Sequence, residues 1–251
     1  MARRVSGGGR ERPVRRHRRA GAGAARSTRP PSRETRAGSV PADRRSTGVP
    51  ALDRELDGGV PTGCVVALTA DPASQSELFV HAFAAVHETQ YLTTVRTADS
   101  VARWLEEPTT DEATPTQILE TTERDDVIAS TRRGIQSIPR GGAVVIDSAG
   151  PLEAVTPSRY RSLLASLSDA VVEADGVGLI HALTAGGARS RCRLLTEQVA
   201  DVVVRLETTV TDVAVENRLV VPKARGIGAL DAPIKLALTD AVVVDTSRDI
   251  A

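Results

Sequence analysis

The sequence predicts an α/β fold: a mostly parallel sheet flanked by helices, followed by C-terminal antiparallel β-hairpins. Three observations predict it. Short unbroken apolar runs at 65–70, 143–147 and 177–183 read as strands buried on both faces. Between them lie segments with apolar residues at helical spacing, so strands and helices alternate. After Val202 the apolar period drops to two, the signature of half-buried antiparallel strands.

Each element follows from its own pattern. The run 65–70 is bounded by Gly63 and Pro72. Leu78, Phe79, Ala82, Phe83 and Val86 give a helix over 75–88. A second strand is expected at 91–95, a short helix at 100–106 and a Thr-, Pro- and acid-rich loop at 107–115. Residues 117–120 form a short strand before a helix over 124–138 that places Val127, Ile128, Ile135 and Ile138 on one side. The apolar strand 143–147 ends in an acid, Asp147. Tyr160, Leu163, Leu164, Leu167 and Val171 mark a helix over 158–174, then comes the strand 177–183 and a short helix at 190–199. Strands are expected at 202–206, 213–215, 219–221, 234–238 and 242–244.

The charge is unevenly placed. The 251 residues carry 32 basic and 32 acidic side chains, yet residues 1–46 hold 14 arginines against Glu11, Glu34 and Asp43, and the remainder is correspondingly acidic by 11 charges. A highly charged stretch with almost no large apolar residue cannot offset its chain entropy, so residues 1–45 are expected to be a disordered Arg-rich tail. It reads as a polybasic arm for nucleic acid or an anionic surface, as a solvated tail, or as an upstream-extended start ahead of Val40. Residues 46–251 form the domain, long enough to bury roughly 70% of its unfolded surface. Only Lys223 and Lys235 are lysines, and the Ala-, Gly-, Thr- and Asp-rich body suits a GC-rich, salt-loving source.

Several classes are excluded. No apolar run approaches the roughly 18–20 residues of a membrane helix, and the arginines at the N-terminus have no apolar segment behind them to make a secretory signal. Cys64 and Cys192 are far apart, without CxxC spacing, so neither a disulfide framework nor a cysteine zinc site is expected. The chain reads as a cytoplasmic protein with no metal.

The order of motifs narrows the fold. Ser46-Thr47-Gly48-Val49-Pro50-Ala51-Leu52-Asp53 and Asp57-Gly58-Gly59-Val60-Pro61-Thr62-Gly63 lead into VVALTA; GGAVVIDSAGPL, LTEQVADVVVRLE and KARGIGALDAPIKLALTDAVVVDTSRDIA follow. In this order they resemble the RecA superfamily, in its archaeal RadA/KaiC-like branch. The resemblance implies a RecA-like P-loop NTPase fold, with VVALTA carrying the phosphate loop and Asp147, beside Ser148, at the Walker B position.

The phosphate loop departs from that pattern. G-x-x-x-x-G-K-[ST] works because its glycines let backbone N–H groups line a concavity, its lysine reaches the β/γ-phosphates and its hydroxyl holds Mg²⁺. The aligned octet is Ala70-Asp71-Pro72-Ala73-Ser74-Gln75-Ser76-Glu77. Both glycines are absent, Ser76 stands at the lysine position and Glu77 at the hydroxyl position. Cβ atoms at Ala70 and Gln75 obstruct glycine conformations, and Asp71 and Glu77 add negative charge where a triphosphate would dock. After the second strand, the adjacent glutamates usual in KaiC-like ATPases are replaced by Arg96-Thr97. Asp147 then reads as a retained turn-capping acid or, with phosphates present, as a Mg²⁺-facing one.

Lys223-Ala224-Arg225-Gly226 resembles the segment by which this family reaches a neighbouring subunit's nucleotide. Lys223 and Arg225 therefore read either as trans-acting groups in a mixed ring or as solvated cations on a hairpin. Arg189, Arg191 and Arg193 follow the Gly186-Gly187 turn and read as a DNA-facing loop or an exposed helix start. His181 reads as a satisfied core or loop histidine, and no Ser/His/Asp set is evident around Ser148. The expected function is a RecA/KaiC-like pseudo-ATPase that acts as a regulatory or scaffolding binding protein, with no cofactor. Its partners would be another protein, a Walker-intact paralogue or further copies of itself. The alternatives are a divergent ATPase using Mg-ATP and a DNA-associated accessory protein.

Overall fold

The computed structural model describes residues 43–106, 114–121, 126–184, 189–227, 230, 232–239 and 242–244. The expectations for residues 1–42, for most of the acidic loop, for the Gly186-Gly187 turn and for the DTSR ending lie outside the described residues. The first described element, β1 (Arg44–Arg45), pairs antiparallel with β2 (Val60–Pro61) across α1 (Pro50–Glu55).

This entry is closed by its own side chains. Asp53 accepts from the Thr47 amide and hydroxyl at 2.7 Å each and from the Ser46 hydroxyl at 2.5 Å. Gly48 (φ +77°) and Gly59 (φ +112°) each sit where a Cβ would come within 2.1 Å of a backbone oxygen, of Ala82 and Arg45 respectively. Both positions therefore require glycine.

The main sheet follows. β3 (Val65–Ala70) is followed by α2 (Glu77–Ala85), β4 (Thr89–Thr93), α3 (Ala98–Leu105), β5 (Thr116–Glu120), α4 (Val127–Ile135), β6 (Ala143–Asp147), α5 (Gly150–Glu153), α6 (Pro157–Glu173), β7 (Val177–Leu183), α7 (Arg191–Val199) and β8 (Val202–Val210). β9 (Val215–Ala224), β10 (Ile234–Leu238) and β11 (Val242–Val244) complete the order β11-β10-β9-β8-β3-β7-β6-β4-β5. The six strands from β8 to β5 are parallel; β9, β10 and β11 add antiparallel pairs beyond β8. This is the predicted α/β architecture.

Alternation along the strands divides the core. Val66, Leu68, Tyr91, Val145 and Leu179 face α1, α2 and α3, whereas Val65, Leu92, Val144, Ile146 and Ile180 face α4, α5, α6 and α7. Three expectations are corrected. The second strand begins at Thr89, because Thr89 and Gln90 are buried despite their polarity. The pieces expected at 213–215 and 219–221 are one ten-residue strand, with Val213 in the turn before it. The helix expected over 124–138 is the shorter α4, capped by the Asp126 carboxylate on the Ile128 amide. Among the described residues no helix is long and apolar enough to cross a membrane.

Candidate functional site

The carboxyl ends of β3, β7, β6 and β4 meet beside the point where the chain switches direction across the sheet, the usual ligand position in an open α/β fold. All the residues aligned with the phosphate loop and the Walker B strand come together there. The polar groups of Asp71, Ser74, Ser76, Glu77 and Asp147 are engaged by the chain itself.

The loop between β3 and α2 is held by Asp71. Its carboxylate accepts from the Ala73 amide at 2.8 Å, and its carbonyl accepts from the Ser74 amide and hydroxyl at 2.9 and 2.6 Å. Two amides that a phosphate cradle would aim at its ligand are thus turned onto the loop itself. Pro72 supplies none.

Ser76, at the lysine position, points inward and is 1% exposed. Its hydroxyl lies 2.9 Å from Nε2 of His181, whose Nδ1 lies 2.7 Å from Oδ1 of Asp147. The second Asp147 oxygen accepts from the Tyr91 hydroxyl and from Nη2 of Arg96, each at 2.6 Å. Arg96 also reaches Oε2 of Glu77 at 3.2 Å and stacks 4.6 Å from the Trp104 ring centre. Its guanidinium therefore bridges Asp147 and Glu77.

The electrostatics are closed as well. Burial opposes ionisation of Asp147, but the hydrogen bonds from His181, Tyr91 and Arg96 outweigh it and hold the carboxyl well below the ordinary carboxylate range. Burial and the Asp147 charge push the Tyr91 phenol well up, so it remains a donor. With Asp147 ionised, His181 donates to it through Nδ1, and its Nε2 shares a hydrogen bond with the Ser76 hydroxyl. Ser76, His181 and Asp147 have the connectivity of a hydrolase relay. The Ser76 hydroxyl is buried, however, and Asp147 is shared with Arg96 and Tyr91. Mg-ATP does not fit these residues: the Walker B carboxylate carries a guanidinium and the loop offers it neither a lysine nor free Ala73 and Ser74 amides.

The sequence brings out Asp147 and the octet, shows Arg96 only as a lost glutamate and His181 only as a satisfied core or loop histidine, and does not single out Tyr91 or Trp104. A signal was present: Asp147 and His181 both end apolar runs, and they are register partners across β6 and β7. Ser148 is buried beside them, its amide bonded to Thr94 Oγ1 at 3.0 Å.

The other candidate residues lie away from this network. Arg193 is buried rather than part of a DNA-facing or exposed helix start: its Nε donates to Glu153 at 2.8 Å and its other nitrogens to Ala182, Leu183 and Thr184. Arg189 pairs with Glu197 at 2.9 Å, and Arg191 is exposed. Lys223 donates to the carbonyls of Glu197, Gln198 and Ala200 at the end of α7, which occupies all three ammonium protons. Arg225 pairs with Asp201 at 2.7 Å but is largely exposed. Burial and the Asp201 charge push the Cys64 thiol up to about 11, and burial likewise raises that of Cys192. Among the described residues no cluster of three His, Cys, Asp or Glu could hold a metal ion.

The fold has a counterpart among solved structures. The KaiC-like protein PH0186 from the hyperthermophilic archaeon Pyrococcus horikoshii OT3 superposes with a TM-score of 0.64 at 19% identity, covering 82% of this chain and all of that one. The architecture is thus RecA/KaiC-like. No curated protein matches the chain. Residues 44–251 match the family of unknown function DUF7125, and the chain belongs to that family.

Proposed function

We propose that this DUF7125 member is a RecA/KaiC-like pseudo-ATPase, a regulatory or scaffolding protein that works by binding and does not hydrolyse ATP. The observation that carries the reading is the Arg96 guanidinium between Asp147 and Glu77. In this reading the chain's own cation stands where the RecA-like pattern calls for a metal-nucleotide complex. The Asp71 turn and the buried Ser76 hydroxyl support the same reading. The partner is another protein, either a further copy or a relative that keeps the G-x-x-x-x-G-K-[ST] loop, and Arg225 is the cation available to it. The acidic, lysine-poor body fits a cytoplasmic protein of a salt-loving archaeon.

Calorimetric titration with Mg-ATP tests this. No magnesium-dependent binding is expected up to millimolar nucleotide; micromolar, magnesium-dependent affinity would overturn the reading in favour of a divergent ATPase. Mixing with a loop-intact relative is expected to change that protein's turnover, and Arg225→Ala to abolish the change.

A further inference from the structure

On the opposite face of the sheet, α4 and α6 leave between them a cleft of about 590 Å³, within the size range of small-molecule sites. We propose that this cleft binds the phosphate group of a small phosphate-bearing molecule.

The charge count at the cleft carries the inference. Among the described lining residues, Arg132 and Arg133 come from α4 and Arg159 from the first turn of α6, against one acid, Asp126. The body is acidic overall, so a described lining with three arginines against one acid runs against its charge. A phosphate monoester carries about −1.5 to −2 at neutral pH and would balance it. Asp126 is doubly committed, capping α4 through the Ile128 amide and pairing with Arg159. Among the described residues the other two arginines donate to neutral hydroxyls: Arg132 to Ser162 at 3.1 Å and Arg133 to Ser130 at 2.9 Å. Nε of Arg132 is buried without a hydrogen-bond partner. Planar guanidinium forks from two helices, beside the Ser158 and Ser162 hydroxyls, match an anion that offers several acceptor oxygens and few or no donors. The cleft stands apart from the strand-end network, so it does not depend on whether that network admits nucleotide.

Calorimetry of the full chain with sodium pyrophosphate, free of magnesium and at low ionic strength, tests the proposal. Saturable binding that weakens with added NaCl is expected. The double substitution Arg132→Gln/Arg133→Gln should raise Kd at least about tenfold, and Arg140→Gln, outside the cleft, should not. Absence of saturable heat, or an unchanged Kd in the double variant, would overturn it. AMP binding more tightly than inorganic phosphate would assign a nucleotide as the ligand, and equal binding the free oxyanion. Should the double variant fail to fold, phenylglyoxal labelling of the unaltered protein decides. Pyrophosphate should protect Arg132, Arg133 and Arg159 but not Arg140, and labelling that pyrophosphate does not alter would refute the site.

Discussion

Two neighbouring stretches follow the RecA/KaiC-like pattern to opposite degrees. The lead-in from Ser46 to Gly63 matches it and is fixed by the fold: Asp53 closes the turn, and Gly48 and Gly59 lie against backbone oxygens. The octet from Ala70 to Glu77 departs from it at both glycines, the lysine and the hydroxyl. Gly48 and Gly59 serve the chain's own packing. The fold persists because its core does not run through the loop.

This contrast can be broken in several ways, the largest first. Gly48→Ala forces a Cβ into the Ala82 carbonyl at a positive φ, and no rotamer relieves a backbone clash. A loss of about 3 kcal/mol or more is expected, read as a lower denaturation midpoint at constant m-value. Arg96→Ala leaves Asp147 and Glu77 without their cation. Breaking a fully buried pair costs roughly 3–5 kcal/mol, and the partial exposure of Arg96 reduces this to about 2 kcal/mol. If that variant is as stable as the parent, the guanidinium is not holding the site together.

The pH dependence follows from Asp147. Its carboxyl is held below its unfolded value of about 3.9, so its contribution is present above that value and is lost as pH falls below it. Asp147→Asn should be less stable at neutral pH and show a shallower loss between about pH 4 and 2; parallel acid-unfolding curves would contradict this. Gln75→Gly should be the mildest change, costing less than about 1 kcal/mol at an exposed position. It should gain no Mg-ATP affinity, because the Asp71 turn and Arg96 remain.

Much of the fold is legible in the chain because parallel strands covered on both faces are written as apolar runs: 65–70 and 143–147 correspond to β3 and β6 residue for residue. The start of β4 is hidden because Thr89 and Gln90 are polar, and α1 because six residues are too few to show a period. At the site, the departures from the phosphate-loop pattern are local and visible. What fills the site is not local. His181 is 105 residues from Ser76 and 34 from Asp147, Arg96 is 51 from Asp147, and only the strand order brings them together. Arg96 is visible in the sequence as the loss of a glutamate, but its gain of a role requires the register of β4 against β6.

The most direct measurement is ¹⁵N–¹H NMR of the His181 ring with and without Mg-ATP. A protonated Nδ1 in slow exchange, an acceptor Nε2, and ring resonances unmoved by millimolar Mg-ATP are the predicted result. Ring resonances of His181 that shift in a saturable way as Mg-ATP is added would show that nucleotide enters between Ser76 and Asp147, and would contradict the account.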